Sequence, residues 1–378
     1  MKATYARARL WTGILGVGTV VLLAGGLLAS GAVERLFEGR GGTLLEDARW
    51  LAVAFAATAV LMLPFDLAGG VVLPRRHGRP APALSGFLAA WLRGIGVLGA
   101  VWVVVGAVVL TTGRSGGRPA AVAAVAALAL MLILIQEPLA RLVAGLRRVA
   151  VHLPKAASRG AMRAVVLRGT DPGFTGGFAG LGGTLVVPER WVKDFEPRML
   201  TVLLERRRRI LRSGAWHASV ALAVLWTSGG FALASLLPGA GVTTVAELFA
   251  TALGFTLWTF LGLLLLPTPS RRATLAADRA LADAPSTRES LRDAVARLDR
   301  MQDDEPERAA GVEGVFHPVP SVVNRLRALD GEGAYPRGAW HLARVALYLS
   351  WAGLSLLPRA VHCNAGRPEL WAYLPSDG

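Results

Sequence analysis

Leu10-Trp11-Thr12-Gly13-Ile14-Leu15-Gly16-Val17-Gly18-Thr19-Val20-Val21-Leu22-Leu23-Ala24-Gly25-Gly26-Leu27-Leu28-Ala29-Ser30-Gly31-Ala32-Val33 contains no charged side chain. A helix of about 20 apolar residues crosses the hydrocarbon core of a bilayer, so this run is long enough to span. Five more such runs follow. Trp50–Pro74 is interrupted only by Asp66, Gly94–Gly113 and Pro119–Gln136 are free of charge, and so is Ser213–Ala246. The Pro238-Gly239-Ala240-Gly241 turn and Glu247 separate the last of these from Leu248–Ser270. Transmembrane helices are expected at about 10–32, 50–73, 94–112, 119–136, 215–237 and 244–266. Tryptophans near several starts (Trp11, Trp50, Trp216) fit interfacial anchors. Lys2, Arg7 and Arg9 precede the first run as they would in a signal peptide. That run exceeds the usual 7–15-residue apolar region and lacks a clear small-residue cleavage site, so an uncleaved span is expected.

Composition agrees. Of 378 residues, 53% are hydrophobic and 18% charged, more apolar and less charged than an ordinary soluble domain. Disorder is excluded on the same ground. Cys363 is the single cysteine, which rules out an intrachain disulfide and a thiolate zinc site. The net charge of +15 is carried almost wholly by arginine, since only Lys2, Lys155 and Lys193 are lysines. In a membrane protein, positive charge marks the cytoplasmic side rather than a nucleic-acid partner. Segment 137–214 carries 15 basic against 6 acidic residues, whereas the turn between the fifth and sixth runs carries no basic residue. The N-terminus and both polar segments, 137–214 and 267–337, are therefore expected in the cytoplasm, with the protein multi-pass in the cell's inner (cytoplasmic) membrane.

The first polar segment opens with a basic amphipathic stretch, Arg141–Arg148, expected on the membrane surface. Ala164–Leu167 and Thr184–Pro188 are short β-branched runs on either side of a glycine-rich connection, the pattern of a small hairpin or sheet. The connection, Phe174–Gly183, lacks the Gly-Lys-Ser/Thr ending of a phosphate loop and reads as turns with positive φ. Next comes a helix with Pro197 in its first turn and Met199, Leu200, Leu203, Leu204 and Leu211 on one side. It contains Glu205-Arg206-Arg207-Arg208-Arg209. Successive residues step about 100°, so four arginines cannot share one face, and at least one must point where Leu204 and Leu211 point. Arg208, four residues after Leu204, is placed to do so. The second polar segment reads as helices at about 272–283, 288–302 and 320–330, the last entered through Phe316-His317-Pro318-Val319-Pro320-Ser321 and carrying Arg325. The charge-free stretch Val345–Pro358 is short for a span and suits an interfacial or core-packed helix.

The order of these features resembles the integral-membrane zinc peptidases of the gluzincin type, the HtpX-like and CAAX-prenyl-protease-like group. That family places a glycine-containing strand pair before an H-E-x-x-H helix. Two spans, a helix with E-x-x-A-D and a His-Pro segment followed by arginine come after it. Here the matching positions are 174–187, 197–212, the fifth and sixth runs, Ala276-Ala277-Asp278, and His317-Pro318 with Arg325. The resemblance covers about residues 160–330. It implies a mostly α, polytopic membrane protein of about six transmembrane helices, with a cytoplasmic helical metallopeptidase-like domain and a small β-hairpin or sheet. The implied organisation is a four-helix membrane region (1–136), a cytoplasmic segment with the active-site helix (137–214), two spans (215–266), a second cytoplasmic segment (267–337) and an apolar helix with a tail (338–378).

The zinc ligands of that family are missing. Aligned on Glu205, the H-E-x-x-H motif reads Leu204-Glu205-Arg206-Arg207-Arg208, and the third ligand position falls on Thr274. Leucine cannot ligate, and a guanidinium stays protonated and repels a dication. Only Glu205, in the place of the general base, and Asp278 survive. The resemblance thus implies a pseudopeptidase with no zinc and no nucleic-acid partner. Its partners would be the bilayer and membrane-protein segments in the former substrate cleft. Two other functions stay open: a hydrolase working through Glu205 and Asp278, and a transporter or channel using Asp66, Arg93 and Glu247 near the ends of spans. Without a metal, Arg208 is expected to reach Asp278 and bridge the two helices.

Overall fold

The computed structural model describes residues 4–151, 153, 163–282, 285–331, 335–336 and 338–373. Lys2 and Lys155, counted among the basic loop residues, lie outside them. Five helices are long and apolar enough to cross a membrane. The six expected runs fall on these five because 94–112 and 119–136 belong to one 51-residue element, Leu84–Leu134, whose backbone leaves helical geometry at Gly117 (φ 67°) before Pro119. Glycine tolerates that φ, and proline cannot continue a helix without a break.

The chain divides into two compact units. The first comprises 1–133, 223–262 and 346–371. Its helices include Tyr5–Ala29, Leu44–Leu67 and most of Leu84–Leu134. Thr43 and Glu46 close a capping box on the second of these, satisfying two backbone donors that the first helical turn leaves over. Leu22, Val60, Val104 and Leu225 are exposed, 77%, 68%, 59% and 67% respectively. In water such a surface would be costly; in lipid it is the outer face of a multi-pass membrane protein. The inner faces pack on aromatics: Phe55 meets Trp102 and Trp351, and Trp102 meets Phe249. Trp11 is exposed.

Asp66, near the end of its apolar run, is fully buried. Trp91 Nε1 donates to it at 2.9 Å, the Gly366 amide at 2.8 Å, and Arg359 forms a salt bridge with it. The helix turns to π geometry immediately afterwards, at Ala68–Val72. There a Cβ on Gly69 or Gly70 would stand 2.3 Å from the carbonyl oxygens of Ala365 and Gly366, so only glycine admits the C-terminal segment this closely.

The second unit comprises 134–222, 263–345 and 372–378. Strands β1 (Arg147–Val149), β2 (Ala164–Arg168), β3 (Gly177–Ala179) and β4 (Thr184–Pro188) form one sheet in the order β1-β2-β4-β3. The expected strand pair is present, but β2 and β4 run parallel, while β1 and β3 flank them antiparallel. A tight hairpin cannot join parallel strands, and the glycine-rich connection instead supplies β3. Gly176, Gly180 and Gly183 have φ near +70°, and a Cβ on Gly176 would stand 2.1 Å from the Val186 oxygen. Arg141–Arg148 is not one amphipathic helix: the helix Gln136–Ala144 ends at Gly145 in a left-handed conformation and Arg147 starts β1. Trp216 is buried rather than interfacial, with Phe178 against it.

The helices Pro197–Arg212, Pro267–Arg279, Pro285–Gln302, Ala310–Phe316 and Val322–Asp330 pack on one another in the same unit. Val202, Leu281, Leu291, Val295, Val322 and Leu329 make an apolar core among them. Asp299 sits beside this core with Arg308 3.5 Å away. Burial pushes its carboxyl up to about 6, against the pull of Arg308. The 345–358 stretch is the helix Leu342–Leu349 followed by a 3-10 turn, and it is buried except at the partly buried Leu356, as a core-packed segment is.

Candidate functional site

Pro197 occupies the first turn of the helix Pro197–Arg212, where its missing N–H is no loss. That helix is enclosed on most sides. Arg206 and Arg207 are fully buried and Arg208 nearly so, each finding oxygen partners. Arg207 faces the sheet, donating to the Val186 oxygen at 2.9 Å and the Thr175 oxygen at 2.5 Å with its guanidinium over the Trp191 ring. It closes carbonyls that the sheet leaves over. Leu211, four residues on, packs at Gly183 on the same side.

Arg206 faces the other way. Its Nε donates to Asp278 Oδ1 at 2.5 Å, and Asp278 is fully buried. Arg325 completes the cluster, with Nε 2.6 Å from Oδ2 and Nη2 3.1 Å from Oδ1. Burial works against the Asp278 charge, but the two guanidiniums outweigh it and hold the carboxyl below its usual range. One carboxylate therefore ties together Pro197–Arg212, Pro267–Arg279 and Val322–Asp330. Here the expected pairing needs correction: the bridge to Asp278 is made by Arg206, not Arg208. The side of the helix that meets its neighbours carries Val202 and, one turn later, Arg206. The Leu204 side meets the sheet.

The remaining motif positions follow from this orientation. Leu204 is buried, 2% exposed. Arg208 Nη1 pairs at 3.0 Å with Glu205, which Arg209 also approaches at 3.6 Å. Thr274 is fully buried and donates to the Ser270 oxygen at 3.2 Å within its own helix. His317 ends the helix Ala310–Phe316, and its backbone oxygen accepts from Arg271 at 3.1 Å. Pro318 follows it. The His-Pro segment thus contributes Arg325 to the cluster, while His317 is joined to Arg271 through its backbone. Nothing in sequence spacing singled out Arg206 or Arg207 as buried; the clue was the density of arginine on a helix otherwise rich in leucine.

The donor set does not suit zinc. Two guanidiniums surround the Asp278 carboxylate, and leucine, arginine and threonine occupy the positions that the resemblance gives to the ligands. Among the described residues, no three His, Cys, Asp or Glu side chains come together in a group that could hold a metal ion. Glu189, nearest the sheet, is instead held down at about 2 by Arg168 and Lys193.

No family model matches the chain, and no curated protein is similar to it at a significant level. Among solved structures it is similar to the crystal structure of S. mikatae Ste24p, with a TM-score of 0.63 and 14% identity over 79% of each chain. The likeness lies in the fold.

Proposed function

We propose that this chain is a pseudo-metalloprotease: a membrane-embedded, peptidase-like protein without zinc chemistry that acts as a scaffold or regulator. The former substrate cleft would hold a segment of another membrane protein. The observation that carries this reading is the Asp278 cluster. An enzyme of this fold class needs its two motif helices joined through a metal; here Arg206 and Arg325 join them through a carboxylate. A hydrolase using Glu205 and Asp278 is disfavoured because both carboxylates are engaged by arginines, and Asp278 is closed to solvent. At Asp278, whose carboxyl the two guanidiniums hold below its usual range, such pairing removes the basicity that proton transfer requires. Purified protein is expected to hold no stoichiometric zinc and to cleave neither casein nor membrane peptides. Elemental analysis finding one zinc per chain after mild chelation, or chelator-sensitive cleavage, overturns the proposal.

The arginine distribution supports an inner-membrane location with the N-terminus and segments 137–214 and 267–337 in the cytoplasm. Reporter fusions at the N-terminus or within 284–310 should then read cytoplasmic and those at Gly239–Gly241 external; the opposite pattern reverses the orientation.

A further inference from the structure

Residues 138–170 hold seven basic side chains and no acidic one. Five of them (Arg141, Arg147, Arg148, Arg163 and Arg168) lie in the described part of the second unit, and all five are exposed. Two of them, Arg148 and Arg163, line a cavity of about 380 Å³. Arg148, Arg163 and Thr184 supply its polar lining, and Leu134, Pro138 and Val165 its apolar wall. Glu137 also lines the cavity and engages Arg148 through Nε at 2.9 Å and Nη2 at 2.5 Å. Arg141 stands 3.8 Å from the same carboxylate. The fork leaves Nη1 of Arg148 outside these two bonds. Arg163 has no ion pair among the described residues, and neither does Arg147. The group facing the cavity is therefore cationic, with donors to spare and one carboxylate already neutralised.

Leu134 fixes what can reach this cavity. It is the last residue of the apolar helix Leu84–Leu134, whose second half, after Gly117, rises ~26 Å at about 1.5 Å per residue. That is close to the thickness of the hydrocarbon core. A side chain at the end of such a helix stands where acyl chains give way to headgroups, and Leu134 and Leu142 are both strongly exposed, at 58% and 61%. The site thus offers apolar contact for a chain and guanidinium donors for a phosphate.

We propose that this cavity binds the phosphate of an anionic phospholipid, with Arg163 and the free edge of Arg148 as its donors and Thr184 beside them. Guanidinium groups suit phosphate because their N–H donors match its oxygens in pairs. A basic cluster just beyond the end of a span attracts anionic lipid. The inference is independent of whether the Asp278 cluster replaces a metal.

The test compares full-length protein in neutral detergent supplemented with phosphatidylglycerol, phosphatidylcholine or inorganic phosphate. Native mass spectrometry counts bound lipid, and thermal unfolding reports on stability. Phosphatidylglycerol is expected to be retained and to raise the unfolding temperature more than phosphatidylcholine, and inorganic phosphate to do neither. Arg163→Gln should weaken phosphatidylglycerol retention about fivefold, as expected for one basic residue near a charged headgroup. Arg168→Gln, on the same sheet but paired with Glu189, should retain the lipid as the unaltered protein does. Equal retention of both lipids, full retention by Arg163→Gln, or equal loss in Arg168→Gln each overturns the site. Stabilisation by inorganic phosphate alone would make the ligand a free anion and overturn the lipid assignment.

Discussion

Asp278→Asn should lower the stability of the second unit by about 3–5 kcal/mol, because it strands two buried guanidiniums without their carboxylate. For a unit of this size that corresponds to a fall of roughly 6–20 °C in unfolding temperature. Asp278 is fully enclosed, and Arg206 and Arg325 come to it from two different helices. Its loss therefore leaves positive charge in a place that water cannot reach. Arg206→Met should cost less than Asp278→Asn, since Arg325 still pairs the carboxylate and the methionine fills the vacated volume. Arg208→Ala should cost only about 1 kcal/mol, the scale of a pair within one helix whose Glu205 partner is one-third exposed. The order Asp278→Asn, Arg206→Met, Arg208→Ala, measured by thermal unfolding in detergent, distinguishes this clamp from the Arg208 bridge. Neither chelator nor added zinc should move the unfolding temperature of the unaltered protein. A chelator-induced fall would mean that a metal, not arginine, joins the helices.

The spans were legible because the bilayer imposes a length and an absence of charge that survive without any tertiary information. That 94–112 and 119–136 share one element was not legible, because the charged residues Arg114 and Arg118 between them interrupt the apolar run. The fold shared with Ste24p was legible for a different reason. The order of glycine-rich connection, helix, paired spans and His-Pro segment follows from topology, which can be read without knowing the chemistry of the site. Less visible was the azimuth of the Pro197–Arg212 helix. Its leucines mark a face towards the sheet, but Val202 and Arg206 are buried too, and period alone cannot say which arginine meets which neighbour when nearly the whole circumference is enclosed. Parallel pairing of β2 with β4 was equally hidden, since a strand's residue pattern does not encode its partner's direction. Asp66 lay near the end of its apolar run, where snorkelling would satisfy it. Only the return of residues 359–366, almost three hundred positions later, reveals that it is enclosed.

That return makes Asp66 and Arg359 the second place where a single change should have a large effect. Both are buried, and their salt bridge is reinforced by Trp91 Nε1 and the Gly366 amide. The guanidinium of Arg359 also lies over the Trp91 and Trp371 rings, 5.8 and 5.1 Å from their centroids. Charges at such depth are expensive unless paired, and pairing within the protein is the usual reason they are tolerated in a membrane span. Arg359→Met removes the cation and leaves the carboxylate with two neutral donors, and Asp66→Asn does the converse to the guanidinium. Each should cost about 3–5 kcal/mol, and the double variant Asp66→Asn/Arg359→Met should cost less than the sum of the two, because neither charge is then stranded. The cost should appear first as release of the C-terminal segment. Gly366 holds φ +70° with its Cα beside the Asp66 backbone oxygen, and Gly69 and Gly70 admit the segment only by lacking side chains. With the bridge gone, little apolar area on residues 359–366 remains to offset the ordering of that loop. Amide hydrogen exchange at 359–371 should therefore rise in both single variants before the rest of the first unit exchanges, and fall back partway in the double. Additive costs in the double variant, or exchange unchanged at 359–371, would show that the pair does not hold this segment in place.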